Sequence, residues 1–168
     1  MIKHIRNHPI DHEKWYPRFM NECEWKFEGK SGIPEEPFTH WTYRVAGPEI
    51  KKDYLVQGLW EDIEPNLPLK LKPRSVFANL YNHGDSSWVH PDPHDYSVVC
   101  FLNPEWDKNW DGLLIFLTED EKQIKFACFP EGGTYVLFES NIPHKPVAVS
   151  REAKVPRLAV TYQCEFIA

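Results

Sequence analysis

Nowhere in the 168 residues do 18 uncharged apolar residues run together, which excludes a membrane-spanning helix. The start of the chain, Met1-Ile2-Lys3-His4-Ile5-Arg6, lacks the apolar run of a signal peptide. Absent as well is the basic stripe that nucleic-acid binding demands. The formal net charge is −6, and the one local basic cluster, Lys70-Leu71-Lys72-Pro73-Arg74, reads as a solvated turn. The four cysteines, Cys23, Cys100, Cys128 and Cys164, form no C-x-x-C pair, so buried thiols in a reducing compartment are expected rather than a disulfide framework or a zinc site. Repeats and low-complexity segments are missing too. These absences together predict a soluble, cytoplasmic protein with neither a nucleic acid nor a membrane as partner, and they leave its oligomeric state open.

What the chain does have is apolar and aromatic bulk. Hydrophobic residues make up 42% and aromatics 14%, including 7 Trp, enough for a packed core in one domain of this length. The domain divides softly near residue 75. Residues 1–74 read as helical and loop support. Asp11 caps a short or broken helix over 11–25 that carries Pro17, one strand falls near 40–45, and Ile50, Tyr54, Leu55, Leu59 and Ile63 mark an amphipathic helix packed outside a sheet. Residues 75–168 read as dense short strands at 76–81, 88–90, 97–102, 113–117, 123–129, 134–138, 145–149 and 157–165, separated by Gly, Pro, Asn and Asp. Eight strands at such spacing predict a mainly β jelly roll with flanking helices.

The chemistry concentrates at Trp88-Val89-His90-Pro91-Asp92. In an extended segment His90 and Asp92 share one face, and Pro91 favours extension of His90. A second H-x-D, His83-Gly84-Asp85, lies in an obvious turn with Asn82, and His94 and Asp95 sit in a loop of Asp-Pro steps, so both stand behind the first pair. His144 follows 52 residues beyond Asp92, at the edge of the strand Tyr135–Phe138. Two neutral imidazoles and a carboxylate on one face of a metal form the triad of non-haem Fe(II) oxygenases. Arg157 opens the last strand, with Ala159 and Thr161 on its face. Turned outward, Arg157 would pair with an acid such as Glu152; turned inward, it needs an anion, and Thr161 adds a hydroxyl.

The ordered set from about Ser75 to Cys164 resembles the 2-oxoglutarate and Fe(II)-dependent dioxygenases, specifically the prolyl 4-hydroxylase-like branch. Tyr81-Asn82-His83-Gly84 before His90-x-Asp92 resembles that branch's lead-in to its iron motif. Phe101-Leu102-Asn103-Pro104-Glu105-Trp106-Asp107 resembles its Tyr-Leu-Asn-x-x-Trp run, Asp111-Gly112-Leu113 its Gly-Gly-x-Leu, and Pro143-His144 with Arg157 its distal ligand and cosubstrate anchor. The match covers roughly half the chain. It departs from the branch at Phe101, where the hypoxia type has a tyrosine that bonds the cosubstrate, and at Asp111, where the family has glycine. The 13-residue interval from His144 to Arg157 is also longer than in the hypoxia type and implies a larger loop around 149–155.

The resemblance implies a double-stranded β-helix, cupin-like, using Fe(II), 2-oxoglutarate as cosubstrate and O2. It also implies that His90, Asp92 and His144 are the metal ligands, that Arg157 with Thr161 and Tyr81 holds the cosubstrate, and that oxidative decarboxylation of oxoglutarate is coupled to hydroxylation of an unactivated C–H bond. A prolyl residue in a peptide or protein is the expected target. A free amino acid or other small molecule, or a non-catalytic metal-binding jelly roll, are the alternatives. Trp88 and the loop 107–110 are the expected substrate contacts.

Overall fold

The computed structural model describes residues 1–168. Its elements are β1 (Ile2–Ile5), α1 (His12–Glu22), β2 (Lys26–Gly29), β3 (His40–Ala46), α2 (Tyr54–Ile63), β4 (Leu71–Tyr81), β5 (Tyr96–Phe101), β6 (Leu114–Leu117), β7 (Ile124–Cys128), β8 (Tyr135–Glu139), β9 (His144–Pro146) and β10 (Arg157–Phe166). One sheet runs β1-β8-β5-β10-β4-β3-β2 and the other β7-β6-β9. All strand pairs are antiparallel. This is the mainly β jelly roll with flanking helices that the strand density predicts, in the double-stranded β-helix form that the resemblance implies. Neither helix is long and apolar enough to cross a membrane.

The strand β10 lies between β4 and β5 and turns two different faces outward. Leu158, Val160, Tyr162 and Cys164 join the main core with Val76, Ala78 and Leu80 of β4 and with Leu59 and Ile63 of α2. Side chains alternate along a strand, so Arg157, Ala159, Thr161 and Gln163 face the space between the sheets instead. A second apolar cluster, with Phe101, Phe116, Val136 and Phe138, closes part of that space. All four cysteines are buried and free, as their scatter in the sequence predicts.

The helices cover the outer face of the larger sheet. Of the two forms expected, α1 is the short helix and runs unbroken through Pro17: Asp11 accepts from Lys14 N at 3.1 Å, Trp15 and Phe19 are buried, and Trp15 Nε1 donates to Asp62 Oδ2 at 2.6 Å. Tertiary anchoring of one face outweighs the single backbone hydrogen bond that a proline removes. Asp53 caps α2, accepting from Leu55 N at 3.0 Å and Val56 N at 3.1 Å, and also accepts the Tyr43 hydroxyl from β3.

Four local expectations change. The segment 1–74 contributes β1 and β2 as well as the expected β3, and β1 pairs with β8 while β3 pairs with β4. Lys70–Arg74 is not a solvated turn: Leu71 is buried, β4 begins there, and Arg74 pairs with Glu165. Here Gln163 faces Ser75 while Cys164 faces Pro73, a bulge that accommodates the proline. Residues 88–90 form only an isolated bridge at His90, and the strand expected over 145–149 shortens to His144–Pro146.

Because Asp53 both caps α2 and holds β3, Asp53→Ala is expected to lower the unfolding free energy by about 1–2 kcal/mol, with Asp53→Asn retaining most of it, as read by urea denaturation.

Candidate active site

The two histidines are brought together by the backbone. His90 N donates to His144 O at 3.0 Å and His144 N to His90 O at 3.1 Å, an antiparallel bridge that sets the two rings 4.7 Å apart. Two residues on, Asp92 N donates to Ser140 O at 2.8 Å, so Asp92 lies on the same side as His90. The ligand atoms of His90, Asp92 and His144 all lie within 4.8 Å of one another. The ring of His144 is buried against Phe116 and Phe138.

The hydrogen bonds show which atoms converge. His90 Nδ1 bonds Trp88 O at 2.8 Å, and His144 Nδ1 bonds Ile142 O at 2.9 Å. A carbonyl only accepts, so each Nδ1 carries the proton, and the Nε2 of a neutral ring is a bare lone pair. Burial lowers the His144 pKa despite the nearby Asp92 carboxylate, which keeps that ring neutral. His144 Nε2 stands 3.5 Å from Asp92 Oδ2 and His90 Nε2 stands 3.9 Å from Asp92 Oδ1, beyond hydrogen-bond range. Two lone pairs and a carboxylate facing one point, with no proton between them, fit a small divalent cation, and the donor set is that of the two-histidine, one-carboxylate iron site.

Arg157 is buried and pairs with no acid; the outward pairing with Glu152 is not formed. Its guanidinium lies 5.3 Å from the ring of Phe101 and 5.7 Å from that of Tyr81, and its Nε has no partner. The stem of the side chain passes over Gly112, where a Cβ would come within 3.2 Å of Arg157 Cδ. Burial raises the Tyr81 pKa to about 12, so its hydroxyl stays protonated as a donor. Such an uncompensated buried cation calls for an anion from outside the chain.

One cavity of about 750 Å³ joins these parts, lined by His90, Asp92, His144, Arg157, Thr161 and Tyr81. That volume suits a small dicarboxylate together with a second group. Its far wall carries residues the sequence did not single out. His40 Nε2 and Thr42 Oγ1 both bond Asn79 Oδ1, at 3.2 and 2.9 Å, and the His40 ring rests on Gly29, where any Cβ would meet it at 2.5 Å. Glu36, 2% exposed, accepts from Ser31 N and from Trp88 N, each at 2.9 Å, and so ties the segment between β2 and β3 to the approach to His90. These partners are far apart in sequence, and no local pattern announces them.

The residues expected to touch the substrate lie outside this cavity. Trp88 and residues 107–110 do not line the cavity; Trp88 is held by its backbone to Glu36, and the neighbouring Trp106 packs against Gly112 beside Arg157. The alternative pair His83 and Asp85 also stays outside.

A jelly roll with a triad of this kind and a buried anion receptor in one cavity defines the class of metal-dependent oxygenases that take an acidic cosubstrate. Comparison with known proteins gives the family. Residues 76–163 match the family model described as the 2OG-Fe(II) oxygenase superfamily. The chain belongs to that superfamily and is a 2-oxoglutarate-dependent dioxygenase whose cofactors are Fe(II), 2-oxoglutarate and O2. Among solved structures it is similar to a Pseudomonas putida prolyl-4-hydroxylase, with a TM-score of 0.66, 19% identity, and coverage of 99% of this chain and 92% of that one. It is similar also to a Trichoplax adhaerens prolyl hydroxylase in complex with a hypoxia inducible factor peptide fragment, with a TM-score of 0.68, 17% identity, and coverage of 98% and 83%. A third is the viral collagen prolyl hydroxylase of Paramecium bursaria Chlorella virus-1, with a TM-score of 0.65, 12% identity, and coverage of 98% and 96%. No curated protein sequence matches significantly.

Two predictions arise from the walls of the site. Asp111 adopts φ 54° and ψ −130°, a conformation natural to glycine, so Asp111→Gly is expected to raise stability by about 1 kcal/mol in urea denaturation. His40 is held below its usual pKa of 6.5 chiefly by burial, against the raising effects of Asn79, Asp85 and Glu36, with Arg157 lowering it further. Its neutral form therefore contributes stability that is complete above pH 6.5 and lost as pH falls toward the folded-state pKa. The stability gap between the wild-type chain and His40→Gln should narrow between pH 7.5 and 5.5; a constant gap would contradict this.

Proposed function

We propose that this oxygenase hydroxylates an unactivated C–H bond of a prolyl residue in a peptide or protein. In this role His90, Asp92 and His144 hold Fe(II), and Arg157, assisted by Thr161 and Tyr81, holds the distal carboxylate of 2-oxoglutarate. The observation that carries it is the buried, unpaired Arg157 in the same cavity as the His90, Asp92 and His144 cluster. Bound iron and cosubstrate supply the oxidising chemistry. The protein orients: the Arg157 fork grips a carboxylate, Tyr81 donates a hydroxyl hydrogen, and the apolar ring of Phe101 flanks the guanidinium where the hypoxia-type enzymes have a tyrosine. No general base is required. Support for a peptide comes from the likeness to the Trichoplax adhaerens enzyme, whose structure contains one.

Residues 1–74 are further proposed to support a catalytic core of 75–168 within a single domain, as the pairing of β1 with β8 and of β3 with β4 favours. The four free thiols suit a reducing compartment such as the cytoplasm.

Succinate release in the presence of Fe(II) and 2-oxoglutarate tests the assignment. The wild-type chain should turn over even without substrate, His144→Ala should release none, and Arg157→Ala should require far more 2-oxoglutarate while still binding metal. Mass spectrometry for a gain of one oxygen, on proline-containing peptides beside free amino acids, tests the substrate. Oxygen gained only by the free amino acids would overturn the peptide assignment.

A further inference from the structure

Three side chains form a polar row across the centre of the larger sheet. Gln163 of β10 faces Ser97 of β5 on one side and Ser75 of β4 on the other, and all three are buried. Gln163 Nε2 donates to Asp92 Oδ1 at 3.1 Å, and Ser97 Oγ donates to Asp92 Oδ2 at 2.7 Å. Ser75 Oγ donates to Gln163 Oε1 at 2.6 Å. The reverse amide orientation would set Oε1 against the Asp92 carboxylate, acceptor to anion, so the Ser75 hydroxyl and the carboxylate together fix which end of the amide faces Asp92. Ser97 is held in turn by Ser140 Oγ at 2.9 Å.

From this we infer that Gln163, locked by Ser75, is a positioning residue for Asp92. With one neutral donor on each oxygen, the carboxylate cannot rotate freely, and its remaining lone pairs stay aimed at the space shared with the two Nε2 atoms. Each donor is uncharged, so Asp92 is oriented while its full negative charge remains for a cation; a lysine or arginine here would compete for it. The Ser75 hydroxyl acts only through Gln163. This role rests on the proposed metal site, and it adds a dependence on two residues that touch no metal.

The test uses Co(II), titrated without oxygen into the full chain and followed by its visible absorption. Gln163→Leu should weaken Co(II) binding about 10-fold or more and shift the absorption band, in line with the usual effect of removing a ligand's hydrogen-bond partner. Ser75→Ala should weaken it in the same direction but less, and should add nothing in the Gln163→Leu background. Ser75→Thr, which keeps the hydroxyl, should bind as the wild-type chain does. If Gln163→Leu fails to fold by circular dichroism, Ser75→Ala decides alone. Wild-type affinity and spectrum in the folded variants would overturn the role of Gln163 and leave the metal site standing. Absence of Co(II) binding by the wild-type chain would overturn the metal site, and this role with it.

Discussion

The alternation of side chains along β10 governs the rest of the molecule. One face of this central strand must bury Leu158, Val160, Tyr162 and Cys164 beneath α2, and that requirement turns Arg157, Ala159, Thr161 and Gln163 toward the cavity without a choice. A register slip of one residue would exchange the two sets and place a guanidinium in the main core. The hydrophobic core and the polar wall of the cavity are thus two consequences of one register.

The metal side of the cavity depends on a different economy. The His90 and His144 backbones pair with each other, their Nδ1 atoms are consumed by carbonyls two residues upstream, and the Asp92 oxygens are consumed on one side by Ser97 and Gln163. Every competing hydrogen-bond valence is satisfied before a cation arrives. What remains is a set of lone pairs with a single common focus, and preorganisation of this kind reduces the ordering that binding would otherwise require.

Much of this was legible in the chain, and the reason is periodicity. The spacing of two between His90 and Asp92, and of four between Arg157 and Thr161, are local signs of a shared strand face, and the structure places all of these residues, with His144 and Tyr81, around one cavity. The alternation extended by one more step would have reached Gln163. Illegible were the partners joined only by folding: Glu36 with Trp88, His40 with Asn79, Ser75 with Gln163. The short strands β1 and β2 also escaped, because four-residue edge strands such as Lys26–Gly29, three of whose residues are exposed, have too little apolar pattern to show. Lys70–Arg74 misled for the opposite reason, since its charges hid the buried Leu71 that starts β4. Trp88 and residues 107–110 lie outside the cavity lining, because nearness in sequence to a ligand does not set the direction a side chain faces.

The distribution of sulfur has a bearing on durability. An enzyme that generates an oxidant able to attack an inert C–H bond risks destroying its own readily oxidised side chains, thiols and thioethers first. No cysteine, methionine or tryptophan lines the cavity, and all four thiols are buried, Cys128 in the apolar cluster that closes part of the space between the sheets and the other three outside that cluster. Cys164 makes the point most closely: it follows Gln163 directly in the chain, yet the strand pleat turns it into the opposite core, where burial pushes its thiol pKa far up and keeps it from the reactive thiolate form. The same pleat that turns the polar residues of β10 toward the cavity therefore also keeps the Cys164 thiol away from misfired turnovers, which fall first on a wall of His, Tyr, Thr, Ser, Asn and Phe.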